Sequence, residues 1–233
     1  MSNFGYQILG FGSGGASIVI DITSNAVEQN ILTLATAFGY NAATSTAAII
    51  VNIASGVTIS GSSTHALRTG ALNANSDLTI NISGSVDGFT GANNTALRGV
   101  GSAGGDALFF ETNTGGTGTY VVNVLSGANL RGGGGGGGGG GTRGSAYQNH
   151  DYKNNNCYTL VYGSNGSSGS AGSFGVAGSS GSAGSTPAGN GNCNHLKTYG
   201  TAGGAGGAAG FALRKNSRTV TLNNSGTVAG SAS

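Results

Sequence analysis

Glycine falls at every third position over long stretches in the C-terminal half of this chain. Eight glycines keep that spacing from Gly163 to Gly184, and the same spacing returns over residues 200–206. An unbroken run of ten glycines, residues 132–141, precedes both stretches. A period of three fits neither an α-helix nor a β-strand, but it fits a polyproline II helix, in which glycine lets a neighbouring backbone approach closely. These stretches predict extended helices packed backbone against backbone.

The glycine-rich stretches allow three interpretations. A collagen triple helix is disfavoured, because the whole chain contains one proline, Pro187. A flexible linker of glycine and serine stays the alternative, although a linker has no reason to keep a strict triplet register. The third interpretation is a bundle of polyglycine II helices, whose backbone N–H and C=O groups pair between neighbours. We predict four such antiparallel helices over residues 132–210, with a reversal near Phe174.

In such a bundle the chain reversals place two loops, residues 142–162 and 187–199, at the same end. Five of the eight tyrosines lie on these loops. Tyrosine offers a large contact area and a polar end at low entropic cost, which suits recognition, although these rings could also fill gaps between the loops. The residues predicted to bind a receptor are Tyr147, His150, Tyr152, Lys153, Tyr158, Tyr162, His195, Lys197 and Tyr199.

The two cysteines of the chain, Cys157 and Cys193, fall one on each of these loops. They could form a disulfide that joins the loops, or they could remain free thiols. With His150 and His195 they also supply the residue types that bind zinc, although their spacing gives that interpretation no support. We expect no bound metal and no other cofactor.

A degenerate repeat outside the glycine-rich stretches predicts short β-strands. A β-rich stretch that carries an asparagine and closes on Ser-Gly occurs at residues 50–56, 79–84, 121–127 and 221–226. An Ala-Leu-Arg element or its variant alternates with it, at residues 66–68, 96–98, 107–109 and 212–214. Such a period favours a stacked β-solenoid, with a β-sandwich as the alternative. The predicted fold is mostly β and irregular, with a solenoid-like domain formed by residues 16–131 and 211–233.

One helix is expected before the strand repeats. Apolar residues recur at helical spacing between Ser24, a suitable N-cap, and Gly39, a suitable stop; they are Val27, Ile31, Leu34 and Phe38. This helix would cover one open end of the solenoid. Residues 1–15 are interpreted as an attachment or hinge segment.

Composition and charge disfavour several functions. Charged residues make up only 7% of the chain and the net charge is +2, which does not indicate nucleic-acid binding. No stretch is long and apolar enough for a membrane span, and the N-terminus has no secretory signal, which suits assembly in a cytoplasm and release by lysis. The seven carboxylates form no recognisable catalytic pair, and no serine lies in a nucleophile-elbow motif. The sequence therefore predicts a protein that is not an enzyme.

Two features resemble a known family. A strand ending Asn-Asn-Ser-Gly-Thr-Val-Ala-Gly, residues 223–230, follows an Ala-Leu-Arg element, and ten glycines follow Arg131. Over residues 47–233 the chain thereby resembles the receptor-recognition adhesins of bacteriophage tail fibres and tail tips. In such adhesins the glycine run belongs to a polyglycine sandwich whose distal loops contact the host. The resemblance transfers no individual contact residue, and this chain departs from the pattern in having no large fibre-attachment domain and only one pure glycine tract.

The leading hypothesis is a virion-surface protein that recognises a host-cell protein or polysaccharide through its tip loops. Its expected partners are the host receptor, other virion structural proteins and further copies of itself, without nucleic acid or membrane insertion. The alternative is a head-decoration or fibre protein that assembles with its own copies. An ice-binding protein and a surface-polysaccharide depolymerase are the remaining hypotheses.

Overall fold

The computed structural model describes residues 16–112, 115–151, 153–154, 156–189 and 191–233. They form two compact units: the first unit contains residues 16–89, 105–133 and 210–233, and the second unit contains residues 90–104 and 134–209. The described chain is mostly β with a single α-helix. Its strands are β1 (Ala16–Ile22), β2 (Ala26–Val27), β3 (Gln29–Asn30), β4 (Ala47–Ile53), β5 (Thr58–Ser60), β6 (His65–Arg68), β7 (Asp77–Ile82), β8 (Ser85–Asp87), β9 (Asp106–Phe109), β10 (Tyr120–Val124), β11 (Asn129–Arg131), β12 (Ser145–Asp151), β13 (Asn156–Tyr162), β14 (Leu213–Arg214), β15 (Thr221–Asn224) and β16 (Thr227–Ala229). The helices are α1 (Ile31–Ala37) and a 3₁₀ helix (Gly191–Leu196).

The predicted domain boundaries differ from this division at three places. Residues 90–104, predicted as part of the domain 16–131, lie in the second unit. Gly132 and Gly133, predicted to begin the glycine-rich bundle, and Gly210, predicted to end it, lie in the first unit. The predicted attachment segment, residues 1–15, falls outside the described residues.

Three parallel sheets make up the first unit. The chain visits the sheets in turn and then repeats the circuit, so that strands from successive circuits become hydrogen-bonded neighbours. The strand orders are β1-β4-β7-β10-β15, β2-β5-β8-β11-β16 and β3-β6-β9-β14. Parallel neighbours need a long connection between them, and the rest of the circuit supplies it. This explains why the sequence repeat is longer than one strand.

Two insertions in this circuit form the second unit, and both occur between a strand of the second sheet and a strand of the third. Residues 90–104 come between β8 and β9, and residues 134–209 come between β11 and β14. In both cases the chain has completed a strand of the second sheet and next forms a strand of the third. The sequence predicted one insertion, whereas the chain makes two at equivalent positions.

Alternating side chains of the first sheet fill the core of the first unit. In β4, every second residue from Ala47 to Ile53 is buried, and the residues between them are half-buried. β7 and β10 keep the same alternation, and the register aligns Ile49 with Leu78 and Val51 with Ile80. β-branched side chains suit such a pleated surface. The predicted strand repeats therefore stack with their apolar faces in register.

The asparagine common to the repeats forms a ladder across the first sheet. Each asparagine donates through Nδ2 to an Oδ1 atom on the preceding circuit, at 2.7–2.9 Å. The members of the ladder are Asp21, Asn52, Asn81, Asn123 and Asn223. A carboxamide both donates and accepts, so it can continue the ladder, whereas a carboxylate only accepts. Asp21 therefore suits the first position.

The predicted helix over residues 24–39 is shorter than expected. α1 begins at Ile31, and its N-cap is Asn30 instead of Ser24: the Oδ1 of Asn30 accepts the N–H of Leu32 at 3.0 Å. The residues before it form β2 and β3, because their backbone groups pair with β5 and β6. Within the described ranges, no helix combines the length and apolarity needed to cross a bilayer.

Three of the four Ala-Leu-Arg elements contribute strands to the third sheet. Residues 66–68 lie in β6, residues 107–109 lie in β9, and residues 213–214 form β14; these strands pair in parallel. The copy at residues 96–98 instead forms a turn in the second unit, where Arg98 has a positive φ of 61°. This copy is not part of the strand repeat.

Extended runs without strand or helix assignment make up most of the second unit. In chain order they cover residues 90–95, 99–104, 134–144, 163–173, 176–186 and 200–209. Turns, the hairpin β12–β13 and the segment with the 3₁₀ helix connect them. The sequence predicted four runs, and the two runs within 90–104 were missed because glycine there has no continuous triplet register.

Hydrogen bonds between these runs repeat every three residues. Every third amide from Gly163 to Gly172 donates to every third carbonyl from Gly144 back to Gly135, at 2.7–2.9 Å. The descending order means that the two runs are antiparallel. A Cβ built on Gly169 would lie 2.1 Å from the carbonyl oxygen of Ser179, so a larger residue does not fit at this position.

The run 134–144, which contains most of the ten-glycine stretch, lies at the centre of the second unit. It is hydrogen-bonded to every other run, through the pairs Gly91–Gly134, Gly136–Ser102, Gly169–Gly138, Gly138–Ser179 and Gly204–Gly139. A neighbouring backbone therefore surrounds it, and a Cβ on Gly136 would lie 2.0 Å from the carbonyl oxygen of Ala92. Runs at the periphery have exposed positions and need glycine only at every third residue. This difference explains why one tract is pure glycine.

Serine side chains complete the hydrogen bonding between the runs 163–173 and 176–186. The Oγ atoms of Ser179, Ser182 and Ser185 accept the backbone N–H groups of Ser170, Ser167 and Ser164, respectively, each at 2.7 Å. A short hydroxyl side chain can take the place of a backbone carbonyl at such exposed positions. Serine next to the triplet glycine therefore has a structural role.

Candidate functional site

The order of the hydrogen bonds places both predicted loops at one end of the second unit. The N–H of Gly163 bonds to Gly144, beside the hairpin, and the N–H of Thr201 bonds to Thr142. The loops 142–162 and 187–199 therefore share this end, which we refer to as the hairpin end. The reversal at Phe174 lies at the opposite end, because Gly172 next to it bonds to Gly135.

A turn at residues 96–99 also reaches the hairpin end. The N–H of Arg98 donates to the carbonyl of Gly140 at 2.7 Å, and Gly99 closes the turn by donating to Ala96 at 2.9 Å. Leu97 in this turn is 46% exposed. The sequence assigned these residues to the strand repeat, so their contribution to the hairpin end was missed.

The hairpin β12–β13 is joined on its other edge by a segment of the second loop. Its antiparallel register pairs Tyr147 with Leu160 and His150 with Cys157. On the opposite edge of β12, Ser145 and Thr198 exchange backbone hydrogen bonds of 2.8 and 3.0 Å. Backbone pairing therefore holds the two loops together independently of their side chains.

Aromatic and apolar side chains are exposed on one face of the hairpin. Tyr158, Leu160 and Tyr162 occupy alternate positions of β13 and are 54%, 40% and 56% exposed. Tyr147, directly opposite Leu160, is half-buried. Alternate and directly opposed residues of a hairpin share a face. Tyr147, Leu160 and Tyr162 therefore share a face, and Tyr158 follows beyond Thr159, whose φ of 65° interrupts the alternation. We refer to these four residues as the outer face.

Cationic side chains lie over two exposed tyrosines near this surface. The guanidinium carbon of Arg143 is 4.5 Å from the ring centroid of Tyr162. The Nζ of Lys197 is 5.5 Å from the ring centroid of Tyr199, which is 74% exposed. Such cation–π contacts contribute about 0.5–1 kcal/mol at exposed sites. They favour particular orientations of rings that are otherwise open to solvent.

The opposite face of the hairpin packs against the segment that contains the 3₁₀ helix. Ala146 is buried there, and His150 and Cys157 are half-buried. Cys193, in the 3₁₀ helix, is 1% exposed and forms a disulfide with Cys157, with an S–S distance of 2.08 Å. Of the states considered for the two cysteines from the sequence, the structure contains the disulfide.

Asp151 anchors the turn between β12 and β13. Its Oδ1 accepts the N–H of Lys153 at 2.9 Å, and its Oδ2 accepts the Nδ2 of Asn154 at 2.7 Å. The backbone hydrogen bond from Lys153, together with the one from the Asn154 side chain, lowers the pKa of Asp151 below its usual value. The carboxylate is therefore charged at neutral pH and holds the turn as an acceptor.

A family model, "Phage tail fibre adhesin Gp38", matches residues 17–233, which is nearly the whole chain. The chain belongs to this adhesin family. Tail fibre adhesins are associated with the virion, so the adhesin is a component of the phage particle. Among curated proteins, no sequence matches it.

A solved structure shares the fold of the adhesin. It is the crystal structure of the gp37-gp38 adhesin tip complex of the bacteriophage S16 long tail fiber, which matches with a TM-score of 0.51 and 17% sequence identity. The match covers 93% of this chain and 82% of that chain. At this identity the comparison establishes a common fold and assigns no contact residue.

The predicted site residues of the adhesin lie on different sides of the hairpin end. Tyr147, Tyr158 and Tyr162 belong to the outer face, whereas His150 is on the opposite face. The others that the structure describes are Lys153 in the hairpin turn and Lys197 and Tyr199 after the 3₁₀ helix. Tyr152 and the side chain of His195 fall outside the described part of the chain.

Sequence reasoning missed several side chains of the adhesin at this end. Leu160 lies between the two tyrosines of β13, and Arg143 lies over one of them. Leu196, 45% exposed, ends the 3₁₀ helix. The alternation Tyr-Thr-Leu-Val-Tyr at residues 158–162 predicts an exposed strand face once a hairpin is assumed. Leu160 is neither aromatic nor charged, so a prediction made from aromatic and cationic residue types does not include it.

Carboxylates in the adhesin have structural partners. Asp87 forms two hydrogen bonds with Arg131, at 2.7 and 2.8 Å, between neighbouring strands of the second sheet. Asp106, 3% exposed, accepts from Arg214 at 2.6 and 3.0 Å. The remaining partners are Asn52 for Asp21, the amides of residues 62–64 for Glu28, Thr119 for Asp77, Arg68 for Glu111, and Lys153 and Asn154 for Asp151.

Proposed function

We propose that the adhesin binds the host-cell surface through the hairpin end of its second unit. The observation that carries the proposal is the outer face, where Tyr158, Leu160 and Tyr162 are each 40–56% exposed. A surface of this kind is typical of recognition sites, in which aromatic side chains provide most of the binding energy. The family's role as a tail fibre adhesin agrees with it.

The architecture around this surface supports the proposal. We interpret the first unit as a β-solenoid, because successive strands stack in parallel in three sheets. We interpret the runs of the second unit as polyglycine II helices, because their hydrogen bonds repeat every three residues. Short, mutually bonded helices provide a rigid support for the hairpin. Rigid support reduces the entropy lost on binding, which favours affinity.

The predicted contact set is Tyr147, Tyr158, Tyr162, Lys153, Lys197 and Tyr199, extended by Leu160, Leu196, Leu97 and Arg143. His150 faces away from the outer face and is better explained as part of the packing against the 3₁₀ helix. Tyr152 and His195 stay predictions from the sequence. The receptor is a host-surface protein or polysaccharide.

Other virion proteins are the proposed partners of the adhesin in the particle. The similar solved structure is a complex of gp37 with gp38 at the tip of a long tail fibre. By analogy we propose that this chain is held by a fibre protein. The homo-oligomer expected from the sequence stays a prediction.

We propose recognition without catalysis. The carboxylates take part in hydrogen bonds and ion pairs that hold neighbouring circuits or turns together, as in Asp106 with Arg214 and Asp87 with Arg131. A general acid or base needs a carboxylate or imidazole directed at a substrate. The adhesin uses these groups for its own structure.

Binding of the purified adhesin to intact cells of the phage's host strain tests the proposal. Replacing both Tyr158 and Tyr162 by serine removes two of the three tyrosine rings of the outer face. We expect binding to weaken by about tenfold or more, because buried aromatic side chains dominate interfaces of this type. Prior treatment of the cells with protease or with periodate would distinguish a protein receptor from a polysaccharide.

Val176→Ser is the matched control. Val176 is 52% exposed, like the two tyrosines, but it lies next to the Phe174 reversal at the opposite end of the second unit. This variant should bind cells as the unmodified adhesin does. Unchanged binding by the double tyrosine variant, with hydrogen exchange showing an intact hairpin, would contradict the assignment of the site.

A further inference from the structure

Three side chains that can bind a metal meet where the hairpin packs against the 3₁₀ helix. His150 and Cys157 are directly opposed on β12 and β13, so their side chains lie on the same face. Cys193 faces them from the 3₁₀ helix, as its bond to Cys157 requires. The ligand atoms of these three residues all lie within 4.8 Å of one another.

We propose that these residues bind one Zn²⁺ ion when the disulfide is reduced. Zinc prefers thiolate and imidazole ligands and binds commonly through three protein ligands and a water molecule. The two thiolates balance the charge of the ion, so the complex with a neutral imidazole has no net charge. That balance suits a site in which Cys193 is 1% exposed and its two partners are half-buried.

Reduction of the disulfide to two thiols consumes one phosphine and one water molecule. A phosphine reductant takes the oxygen of one water molecule and becomes a phosphine oxide. The S–S bond accepts the two electrons, and each sulfur takes up one of the two protons of that water. On metal binding each thiol releases its proton to solvent and forms an S–Zn bond. The imidazole contributes a lone pair without further proton transfer.

The geometry of the three ligands does not depend on the disulfide alone. The antiparallel pairing of β12 with β13 keeps His150 opposite Cys157. The backbone hydrogen bonds between Ser145 and Thr198 keep the segment that follows the 3₁₀ helix on the hairpin. After reduction these contacts hold the two sulfurs near each other, so little chain entropy opposes metal binding.

With zinc bound in the reduced state and the disulfide formed in the oxidised state, the hairpin end would be cross-linked in both. Reducing compartments keep thiols reduced, and oxidising surroundings favour disulfides. A metal bridge in the first case and a covalent bridge in the second would connect the same two loops. The proposed site is independent of receptor binding, since Tyr158 and Tyr162 are not among its ligands.

Cobalt(II) titration of the full-length adhesin, reduced with a phosphine under anaerobic conditions, tests the site. Tetrahedral thiolate ligation gives Co²⁺ a near-ultraviolet charge-transfer band and intense visible bands. We expect both to saturate at one equivalent and to disappear when Zn²⁺ is added. Cys157→Ser and Cys193→Ser should each abolish the charge-transfer spectrum characteristic of two thiolates.

His150→Ala is the decisive variant, because it leaves the disulfide and both thiols intact. Loss of a residue that only hydrogen-bonds a metal ligand lowers metal affinity by roughly 10–100-fold. Because His150 would bind the metal directly, its loss should lower the affinity for Co²⁺ by more than that. His65→Ala, a histidine change in the first unit, should leave the affinity unchanged. The oxidised adhesin should give no thiolate spectrum.

Two results would overturn the proposal. One is a reduced adhesin that gives no thiolate–cobalt band. This result counts against the site whether hydrogen exchange shows the hairpin folded or unfolded. The other is a His150→Ala variant with the affinity of the unmodified chain. A Tyr158→Ser, Tyr162→Ser double variant should retain metal binding, so failure of the receptor assignment would be seen separately.

Discussion

The two units of the adhesin fill their interiors in opposite ways. In the first unit, aliphatic side chains such as Ile80 and Leu108, both 0% exposed, form the core. In the second unit the centre is backbone, and Gly136 has the carbonyl of Ala92 where a side chain would begin. Burial of apolar area contributes about 25 cal/mol per Å² to the first interior. Backbone hydrogen bonds contribute a net of about 0.5–1.5 kcal/mol each to the second.

This contrast predicts different tolerance to substitution. A core of side chains can accept a smaller residue at the cost of a cavity, and neighbouring side chains partly relax around it. A core of backbone can accept no larger residue, since the atoms in the way belong to the chain itself. Glycine also loses more conformational freedom on folding than other residues. The second unit therefore depends on many hydrogen bonds being made in register at once.

The largest expected effect is that of Gly136→Ala. The new Cβ would lie 2.0 Å from the oxygen and 2.4 Å from the carbon of the Ala92 carbonyl. Ordinary overpacking costs about 1–3 kcal/mol, and a clash with backbone on a surrounded run should exceed that. We expect the second unit to lose its protection against hydrogen exchange and to become sensitive to protease. Ser180→Ala, at an exposed position, is the control, and retained protection in Gly136→Ala would refute a backbone-filled interior.

The core of the first unit should respond less severely to the opposite change, Ile80→Ala. Deleting a buried isoleucine side chain costs about 2–5 kcal/mol through lost burial and the cavity left behind. Denaturant unfolding monitored by hydrogen exchange in the first unit measures the loss. Ile50→Ala is the control, since Ile50 is half-buried on the other face of the sheet. Equal losses from both variants would contradict the assignment of the alternation.

The sequence showed the repeat that underlies the interior of each unit. It did not show every segment of the chain that takes part. The Asn and Ser-Gly repeat predicted strands where β4, β7 and β10 lie, but the alternation that decides which of their side chains are buried is a finding of the structure. Triplet glycine predicted backbone contact between the longer runs. The short runs within 90–104 were missed, because hydrogen bonds from residues distant in sequence, such as Gly91 to Gly134, specify them. The helix was overextended because strand pairing of β2 and β3 outweighs a local apolar pattern.

The hairpin end shows the same limit. The grouping of tyrosines and cysteines on two loops was visible in the sequence, because triplet spacing determines where the chain reverses. The division of the hairpin into the outer face and the face that packs against the 3₁₀ helix was not visible in the sequence. It depends on the register that pairs His150 with Cys157. The same register separates the aromatic outer face from the potential metal ligands. Assigning a role to His150 therefore required the structure.

Replacing Asp106 should have the next smaller effect on stability, and this effect should depend on pH. Burial would by itself raise the pKa of Asp106, but the His65 imidazole, 3.3 Å away, and hydrogen bonds from Arg214 and the Phe211 amide lower it from 3.8 to about 2. A carboxyl whose folded-state pKa is depressed stabilises the fold above its unfolded pKa, and that stability is lost as pH falls through the folded pKa. The difference between a pKa of 3.8 and one of about 2 corresponds to about 2–3 kcal/mol.

Asp106→Asn should therefore lower the stability of the first unit by about 2–3 kcal/mol at neutral pH. Below about pH 2 the difference from the unmodified adhesin should largely disappear. Denaturant midpoints measured from pH 7 down to pH 2 give the difference curve. Asp21→Asn, in the exposed part of the asparagine ladder, is the control. A difference that stays constant down to pH 2 would show that the charge of Asp106 does not contribute.

Replacing a serine on the periphery of the second unit should have the smallest effect. It tests whether the periphery of that unit can be weakened without weakening its centre. The Oγ of Ser182 accepts the N–H of Ser167 at 2.7 Å, and both residues are exposed. In Ser182→Ala, water can replace the lost acceptor, so the cost should be at most about 1 kcal/mol. Exchange of the Ser167 amide should accelerate, whereas the amides of the central run 134–144 should keep their protection. Loss of protection throughout the second unit, with Ser180→Ala unaffected, would mean that these serine pairs stabilise the whole array and are not only a local substitute for a missing neighbour.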